Sequence, residues 1–277
     1  MIDLHTHSTS SDGSDPPEVV VEKAVAAGLT AMALTDHDTL EGVARARARA
    51  GELGLDLISG VELSVEWEPG AMHLVVLFLE PGTGPLRDLL GGLQGGRDER
   101  NLAIVTRLRD LGLMIEYDEV VAEAGGGSVG RPHIGAVLVR HGYVPDLATA
   151  FDLYLAKGRS AYIDRRRLHP EEALSLARQE GAAAVLAHPH TLGLNSSGEV
   201  RTTLRRLKEA GLTAMECYYP LYSPLEREGY VALARSYGLV PSGGSDYHGL
   251  YKPGIELGRG RGDLVVPDSV LAELRSS

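Results

Sequence analysis

This 277-residue chain has only one cysteine, no long apolar run and no excess of positive charge. Its single cysteine, Cys217, excludes an internal disulfide and a cysteine-based zinc site, so any bound metal must be held by histidines and carboxylates. No segment approaches the roughly 18 consecutive apolar residues of a membrane span. The start Met1-Ile2-Asp3-Leu4-His5 lacks the basic and apolar regions of a signal peptide. We therefore expect a soluble, cytoplasmic protein.

The charge balance is acidic, with 27 basic against 38 acidic side chains and a formal net charge of −11. Proteins that bind duplex DNA usually carry clustered basic charge, so we expect no duplex DNA partner. A small anionic ligand stays compatible with this balance, provided that its site has a local source of positive charge. Ten histidines in an acidic chain are the feature that needs an explanation.

Several segments share a pattern of an amphipathic helix, a glycine at its C-terminal end and a short apolar strand that leads to polar residues. The strands that this pattern predicts lead to Asp36-His37, His188, Glu216 and Asp246. Alternation of this kind predicts parallel strands with helices between them. In (β/α) barrels the C-terminal ends of the strands gather the catalytic groups, so we expect these polar residues to meet.

The middle of the chain, from Pro85 to about Arg159, has a helical pattern and no predicted strand. The predicted helices cover residues 97–111, 117–123 and 133–140. Glycine pairs and the Gly125-Gly126-Gly127 triplet interrupt this region, and we interpret the triplet as a mobile loop. We predict an α/β fold in which a helical insertion, residues 85–159, packs over one end of a barrel formed by residues 1–84 and 160–277.

Metal-ligand chemistry is indicated first by His5-Thr6-His7. Two histidines one residue apart on an extended segment point to the same face, where both can bind one ion. Glu62 and His73 each lie inside an apolar run, where burying a lone charge costs on the order of several kcal/mol. Taken singly, each histidine is more typical of a hydrogen-bonded structural residue, and Asp12 and Asp38 are compatible with helix caps.

Taken together, six histidines and three carboxylates favour a metal cluster, because parallel strands would bring these positions into one pocket. The nine residues are His5, His7, Asp12, His37, Glu62, His73, His188, Asp246 and His248. Imidazole and carboxylate ligands suit Mn, Fe or Zn, with Mg also admitted, and nine ligands exceed what one ion uses. We therefore predict two or three divalent ions, which would polarise a phosphoryl group, turn a bridging water into hydroxide and offset the acidic charge.

The ordered motifs resemble those of the PHP (polymerase and histidinol phosphatase) superfamily. They are His5-Thr6-His7, Ser11-Asp12-Gly13, Thr35-Asp36-His37-Asp38, Gly60-Val61-Glu62, His73, Ala187-His188-Pro189 and Ser245-Asp246-Tyr247-His248. The resemblance extends from Met1 to about Gly258 and implies a distorted, TIM-like (β/α)7 barrel with a trinuclear metal site.

The same resemblance implies which residues share each ion. One ion would be held by His5, His7, Glu62 and Asp246, a second by Glu62, His73 and His188, and a third by Asp12, His37 and His248. The role of His190 stays open, because His188 occupies the Pro-flanked position that matches the family.

Within the superfamily, the insertion resembles that of stand-alone phosphoesterases that act on nucleoside 3′,5′-bisphosphates or trim RNA from its 5′ end. Arg97-x-x-Arg100-Asn101 and Gly130-Arg131-Pro132-His133 match segments expected there. Arginine forks and a helix start suit phosphate oxygens. The resemblance implies that Arg97, Arg100, Asn101, Arg131 and His133 bind substrate, with His133 as a candidate general acid. A solvated helix face stays open as the alternative for Arg97 and Arg100.

Two further arginine groups, Arg165-Arg166-Arg167 and Arg45, Arg47 and Arg49, are interpreted as solvated faces. The leading hypothesis is a phosphohydrolase that uses a metal-bridging hydroxide to remove the 3′-phosphate from pAp-like nucleotides and that also trims short RNA. Its partner would be a small phosphorylated nucleotide or an RNA 5′ end, and the oligomeric state stays open. The alternatives are a histidinol-phosphate phosphatase, for which an acidic pocket is expected, and a non-catalytic PHP module without metals.

Overall fold

Seven strands form one sheet in the order β1-β2-β3-β4-β5-β6-β7 in the computed structural model, which describes residues 1–125 and 127–277. The strands are β1 Ile2–Asp3, β2 Ala31–Leu34, β3 Asp56–Val65, β4 Met72–Leu77, β5 Ala183–Ala187, β6 Ala214–Tyr218 and β7 Val240–Gly243. The sheet curls until β7 meets β1, where Leu4 N donates to Gly243 O at 3.3 Å. A parallel bridge between Thr6 and Tyr247 continues this contact, and the result is a nearly closed barrel.

Ten α-helices accompany the strands in the described part of the chain. They are α1 Pro17–Ala26, α2 Val43–Leu53, α3 Pro85–Asp110, α4 Tyr117–Glu123, α5 Arg131–Arg140, α6 Leu147–Ala150, α7 Pro170–Gln179, α8 Ser197–Ala210, α9 Pro224–Ser236 and α10 Ser269–Arg275. Local sequence explains several ends: the Ser196 and Glu199 side chains form a capping box at the start of α8, and Gly211, at φ 119°, ends it. None of these helices combines the length and apolarity needed to cross a bilayer.

The sheet departs from the predicted parallel arrangement at β4. This strand pairs antiparallel with both neighbours, with Ser64 of β3 opposite His73 and Ala187 of β5 opposite the same residue. The six residues between β3 and β4 are too few for the crossover connection that parallel strands need, so the chain turns back as a hairpin. The prediction of parallel strands is therefore wrong at β4. The reversal places the start of β4, with His73, beside the end of β5.

Three apolar clusters lie in the barrel region. One contains small side chains such as Ala33, Ala187 and Ala214 from one face of the strands, together with residues of α10. A second packs the opposite strand face against α7, α8 and α9. The third packs Met32 and Leu34 of β2 against α1 and α2. Small residues on the converging face leave room for the barrel to close, and α10 contributes the remaining apolar volume.

The region between Pro85 and Leu155 is helical in the described residues and contributes a separate apolar cluster. Ile104 and Leu108 of α3 pack there with Ile134 and Leu138 of α5. Helix α3 begins twelve residues before the predicted start at Arg97, and its first half joins the barrel cluster through Leu86, Leu90 and Leu93. The glycine pairs that suggested an interruption lie inside this helix. Gly126, the middle of the predicted glycine loop, lies outside the described residues.

Candidate active site

The nine candidate ligands meet at one end of the barrel. His5 and His7 follow β1, His37 follows β2, and His188 follows β5 directly. Glu62 lies inside β3 and His73 at the start of β4, so the antiparallel hairpin delivers both to the same place. Eight of the nine residues are buried, and His73 is partly exposed, with 24% of its side chain accessible.

A first group of ligand atoms converges from His5, His7, Glu62 and Asp246. The two Nε2 atoms of the histidines lie 3.1 Å apart, and Glu62 Oε2 lies 3.2 Å from the first and 3.1 Å from the second. Asp246 Oδ1 lies 3.6 and 3.5 Å from the same two nitrogens. The structure thus brings together the four residues that the resemblance assigns to one ion.

A second group gathers around the other oxygen of Glu62. Oε1 lies 2.8 Å from Nδ1 of His73 and 3.0 Å from Nε2 of His188. His37 also faces Glu62, with Nδ1 at 3.3 Å from Oε2, and this nitrogen is buried without a well-aligned hydrogen bond. These contacts add His37 to the neighbourhood of the second predicted ion set.

A third group surrounds Asp12, whose Oδ1 lies 3.3 Å from Nε2 of His248 and whose Oδ2 lies 3.8 Å from Nε2 of His37. His7 joins this group through Nδ1, at 3.8 Å from Asp12 Oδ1. His190 belongs to none of the three groups. Its Nδ1 lies 2.9 Å from the Tyr222 hydroxyl instead.

The protonation states of these residues suit a cation. Burial lowers the pKa of His7, and the facing His248 lowers it further, so this imidazole keeps a free lone pair. Burial raises the pKa of Glu62, but His37 and His5 outweigh that effect, and the pKa lies well below its ordinary value. Burial lowers the pKa of His5, but Glu62 and Asp246 outweigh that effect and hold it well above its ordinary value, so the carboxylates favour a cation at this position. Carboxylates and imidazoles that face one another across about 3 Å fit divalent metal ions.

A layer of further polar residues supports the candidate ligands, and sequence reasoning assigned these residues no role. Glu216 contacts Nδ1 of His5 at 3.1 Å with one oxygen and accepts from the backbone N–H of His188 at 2.6 Å with the other. Tyr219 and Lys252 both donate to Asp246 Oδ2. Such contacts fix the orientation of ligating side chains. The sequence predicts that Glu216 meets the other polar residues at the strand ends, but it gives no indication that Glu216 contacts His5.

Backbone geometry is also unusual at this end of the barrel. His188 and Asp246 have φ values of 26° and 53°, which non-glycine residues rarely adopt. Asp38, beside His37, has φ 58°. Strain of this kind is held by surrounding contacts and concentrates at functional sites.

A cavity of about 1000 Å³ opens over the cluster. Its lining includes Asp12, His37, His73 and His248 of the cluster and five arginines, Arg97, Arg100, Arg131, Arg165 and Arg167. We call these five the arginine wall. Only 5% of Arg97 and of Arg100 is exposed, so the alternative of a solvated helix face is wrong. The prediction of a solvated face also fails for Arg165, whose side chain is 4% exposed.

Carboxylates pair with only part of the arginine wall in the described residues. Asp38 accepts from Arg97 and Arg165, and Asp164 accepts from Arg167. Arg100 and Arg131 pair with no carboxylate there. Burial lowers the pKa of Arg100, and the neighbouring Arg131 and Arg97 lower it further. Cations that destabilise one another in this way form a site that a bound anion would stabilise.

Two predicted substrate residues lie outside the cavity lining. The amide of Asn101 donates to Val129 O at 2.7 Å, and Nδ1 of His133 accepts from Gly130 N at 2.9 Å. Both contacts shape the segment that leads into α5. The arginine clusters at Arg45, Arg47 and Arg49 lie in exposed ion pairs with glutamates, as predicted for a solvated face.

The barrel and its candidate metal cluster define a metal-dependent phosphoesterase. The sequence profile of the PHP domain matches residues 3–164, and the chain belongs to the PHP domain family. A crystal structure from Bifidobacterium adolescentis, assigned as a metal-dependent phosphoesterase, matches with a TM-score of 0.86 and 28% identity over 99% of this chain and 95% of that one.

Two curated relatives match nearly the whole chain. The 5′-3′ exoribonuclease Rnm of Salmonella typhimurium is 36% identical over 260 residues, which are 93% of this chain and 88% of that protein. The 3′,5′-nucleoside bisphosphate phosphatase of Chromobacterium violaceum is 32% identical over 262 residues, which are 93% of this chain and 90% of that protein. This similarity also identifies the chain as a hydrolase.

Proposed function

We propose that this phosphoesterase removes the 3′-phosphate from nucleoside 3′,5′-bisphosphates and also trims short RNA from a phosphorylated 5′ end. The observation that carries the proposal is that one cavity is lined both by four residues of the candidate metal cluster and by the arginine wall. A substrate with two phosphates would place one at the cluster and the other at the arginines. The names of the two relatives, a bisphosphate phosphatase and a 5′-3′ exoribonuclease, are consistent with such a substrate.

The metal cluster would be formed by nine residues and would hold two or three divalent ions of the Mn, Fe, Zn or Mg type. The residues are His5, His7, Asp12, His37, Glu62, His73, Asp246 and His248, with His188 added through its contact with Glu62. Bound ions of this kind polarise phosphoryl oxygens and lower the pKa of a bound water to near neutrality. Glu62 would belong to two ion sets, because its oxygens face different histidines.

The arginine wall would select the substrate. Arg100 and Arg131, which have no carboxylate partner in the described residues, would donate to the phosphate that is not hydrolysed. The Arg131 guanidinium lies over the ring of Phe151 at 5.8 Å and over that of Tyr162 at 5.9 Å, so two cation–π contacts help to position it. Burial makes each charge-assisted hydrogen bond there stronger than it is in water.

The same wall does not favour a histidinol-phosphate phosphatase, since a substrate with an amine and an imidazole would meet the five guanidinium groups that line the cavity. The enzymatic relatives and the complete set of nine candidate ligands do not favour a non-catalytic module.

The test compares substrates that differ by one phosphate. Metal-loaded protein is assayed with two pairs of substrates. The first pair is adenosine 3′,5′-bisphosphate and adenosine 3′-monophosphate, and the second is an oligoribonucleotide with a 5′-phosphate and the same oligoribonucleotide with a 5′-hydroxyl. We expect kcat/KM to be at least about a hundredfold higher for the 5′-phosphorylated member of each pair, because a site built for a buried polar contact discriminates strongly against its absence. Equal values within both pairs would contradict the proposal.

A further inference from the structure

Asp38 lies at the junction of the barrel, helix α3 and the segment that follows the insertion. It is fully buried, and one of its oxygens, Oδ2, accepts from Nη2 of Arg97 at 2.7 Å and from Nη2 of Arg165 at 2.6 Å. The two arginines come from α3 and from the chain after the insertion, and both line the cavity. A single oxygen atom therefore ties together two guanidinium groups that are distant in sequence.

We infer that Asp38 is a positioning residue that sets the geometry of the arginine wall for the second phosphate, an inference that rests on the proposed function. Two neighbouring guanidinium groups repel each other, so without a shared acceptor Arg97 and Arg165 would separate. With Nη2 of each fixed by Asp38, both guanidinium groups are held in set positions in the lining of the cavity. Preorganised donors bind a phosphate more tightly than mobile ones, because less conformational entropy is lost on binding.

The backbone of Asp38 supports this role. Its φ of 58° is in the left-handed region, which aspartate, asparagine and glycine adopt more readily than other residues. Arg165 is held further by a bond from Nη1 to Leu93 O at 3.3 Å. In this backbone conformation Oδ2 of Asp38 accepts from both arginines.

Loss of this carboxylate would change the affinity for phosphate in opposite directions, depending on whether Asp38 acts through its charge alone or by orienting the arginines. Removing one negative charge beside the cavity would tighten phosphate binding if only the net charge mattered. If Asp38 orients the arginines, the same change would weaken phosphate binding. The sign of the effect thus decides between the two explanations.

The test uses Asp38→Asn, which keeps the shape and tolerates the positive φ, and Asp38→Gly, which the φ also favours and which adds no new donor. Metal-loaded proteins are titrated with adenosine 5′-monophosphate by calorimetry and assayed with adenosine 3′,5′-bisphosphate and p-nitrophenyl phosphate. For both variants we expect the Kd of the monophosphate and the KM of the bisphosphate to rise at least about fivefold. We expect kcat/KM for p-nitrophenyl phosphate to stay within about twofold of the wild-type value.

The matched control is Asp263→Asn, which removes another aspartate paired with a buried arginine, Arg227, outside the cavity lining. This control is expected to leave all three quantities unchanged. Tighter or unaltered binding of the monophosphate by both Asp38 variants would overturn the inference. So would an equal loss with p-nitrophenyl phosphate, or loss of bound metal, because either would show that the change acts on the cluster.

A double-mutant cycle provides a second test, which measures the coupling between Asp38 and Arg165. If Asp38 acts through Arg165, the effect of Asp38→Asn on the monophosphate Kd will be smaller in an Arg165→Gln background than in the wild type. Additive effects would contradict that route. Failure of the proposed function can be distinguished from failure of the inference about Asp38. If the proposed function is wrong, the wild-type protein will bind adenosine as tightly as adenosine 5′-monophosphate.

Discussion

At the scale of single residues, Glu62 is the acid on which the histidines converge. Its two oxygens lie within 3.3 Å of nitrogens from five of them, which are His5, His7, His37, His73 and His188. Placing this side chain inside β3, with only 1% of the residue exposed, leaves it no solvent to replace those contacts. Its charge therefore depends on the facing histidines and on any cation bound there.

Glu62→Gln tests this dependence, because the change keeps the shape and removes the charge. We expect fewer metal ions per chain by mass spectrometry and a fall in kcat of at least about a hundredfold. Replacing a residue that only orients a metal ligand already lowers metal affinity or activity by about 10–100-fold. Glu66→Gln, an exposed neighbour just beyond β3, is the matched control. Normal metal content and activity in Glu62→Gln would exclude the residue as a ligand.

Arg131→Ala tests the arginine wall. We expect the KM for adenosine 3′,5′-bisphosphate to rise by the equivalent of about 1–3 kcal/mol, with little change for p-nitrophenyl phosphate, which has no second phosphate. Arg140→Ala, at the exposed other end of α5, is expected to change neither value. Equal losses with both substrates would show that Arg131 does not bind the second phosphate.

The residues of the cluster could be proposed from the sequence because their types are distinctive and most of them lie in a strand or soon after one. Arg165 was not, since a run of three arginines gives no indication of which one turns inward. Its burial depends on Asp38, which is 127 positions away. Long-range pairing of this kind leaves no local pattern in the sequence.

At the scale of elements, helix α3 contributes to both the apolar cluster of the barrel and that of the helical region, and its first half contains four glycines. Gly91 and Gly95 are exposed, and a Cβ added at either would contact nothing within 4 Å. Glycine inside a helix destabilises it by about 0.5–1 kcal/mol relative to alanine. The half of α3 that leads to Arg97 is therefore less stable than its length suggests.

Gly91→Ala and Gly95→Ala are each expected to raise the free energy of unfolding by about 0.5–1 kcal/mol. Gly112→Ala, just after the same helix, is the opposite control, because its φ of 85° strains any residue with a Cβ. Thermal unfolding followed by circular dichroism measures all three. A fall in Tm for the first two would mean that these glycines serve a contact or a motion that alanine prevents.

Most helix and strand positions agree with the periodicity of the sequence, including α4 at Tyr117–Glu123 and β2 at Ala31–Leu34. The direction of β4 could not be predicted in this way. A buried strand has the same apolar pattern in either direction, and only the short connection to β3 indicates a hairpin. The early start of α3 was missed because glycine pairs usually interrupt helices.

At the scale of the whole molecule, the cluster joins residues from both ends of the chain, since His5 and His7 lie beside Asp246 where β1 meets β7. Metal binding should therefore stabilise barrel closure.

A ligand that binds only the folded state raises the free energy of unfolding by about 2.7 kcal/mol at a concentration of 100 times its Kd. We expect chelation to lower Tm and added metal to restore it, which a scanning fluorimetry titration would measure; a Tm independent of metal would contradict this coupling.

Cys217 offers an internal reporter of the same closure. The thiol lies buried in β6, and burial raises its pKa, so little reactive thiolate exists at pH 8 in the folded protein. We expect a maleimide or disulfide reagent to label it far more slowly than after unfolding, and chelation to accelerate the labelling. Rapid labelling of the metal-loaded protein would show that β6 opens independently of the cluster.

The hairpin between β3 and β4 has a consequence for the redesign of substrate range. Because β4 runs backward, the connection of residues 66–71 lies at the mouth of the cavity, where Trp67 and Ala71 form part of the lining. This loop could be exchanged without altering any residue of the candidate metal cluster. Gly70 would have to be kept, since a Cβ there would lie 2.2 Å from Thr191 O. Loop grafting with that glycine fixed is therefore the most direct way to adapt this scaffold to larger or smaller phosphate esters.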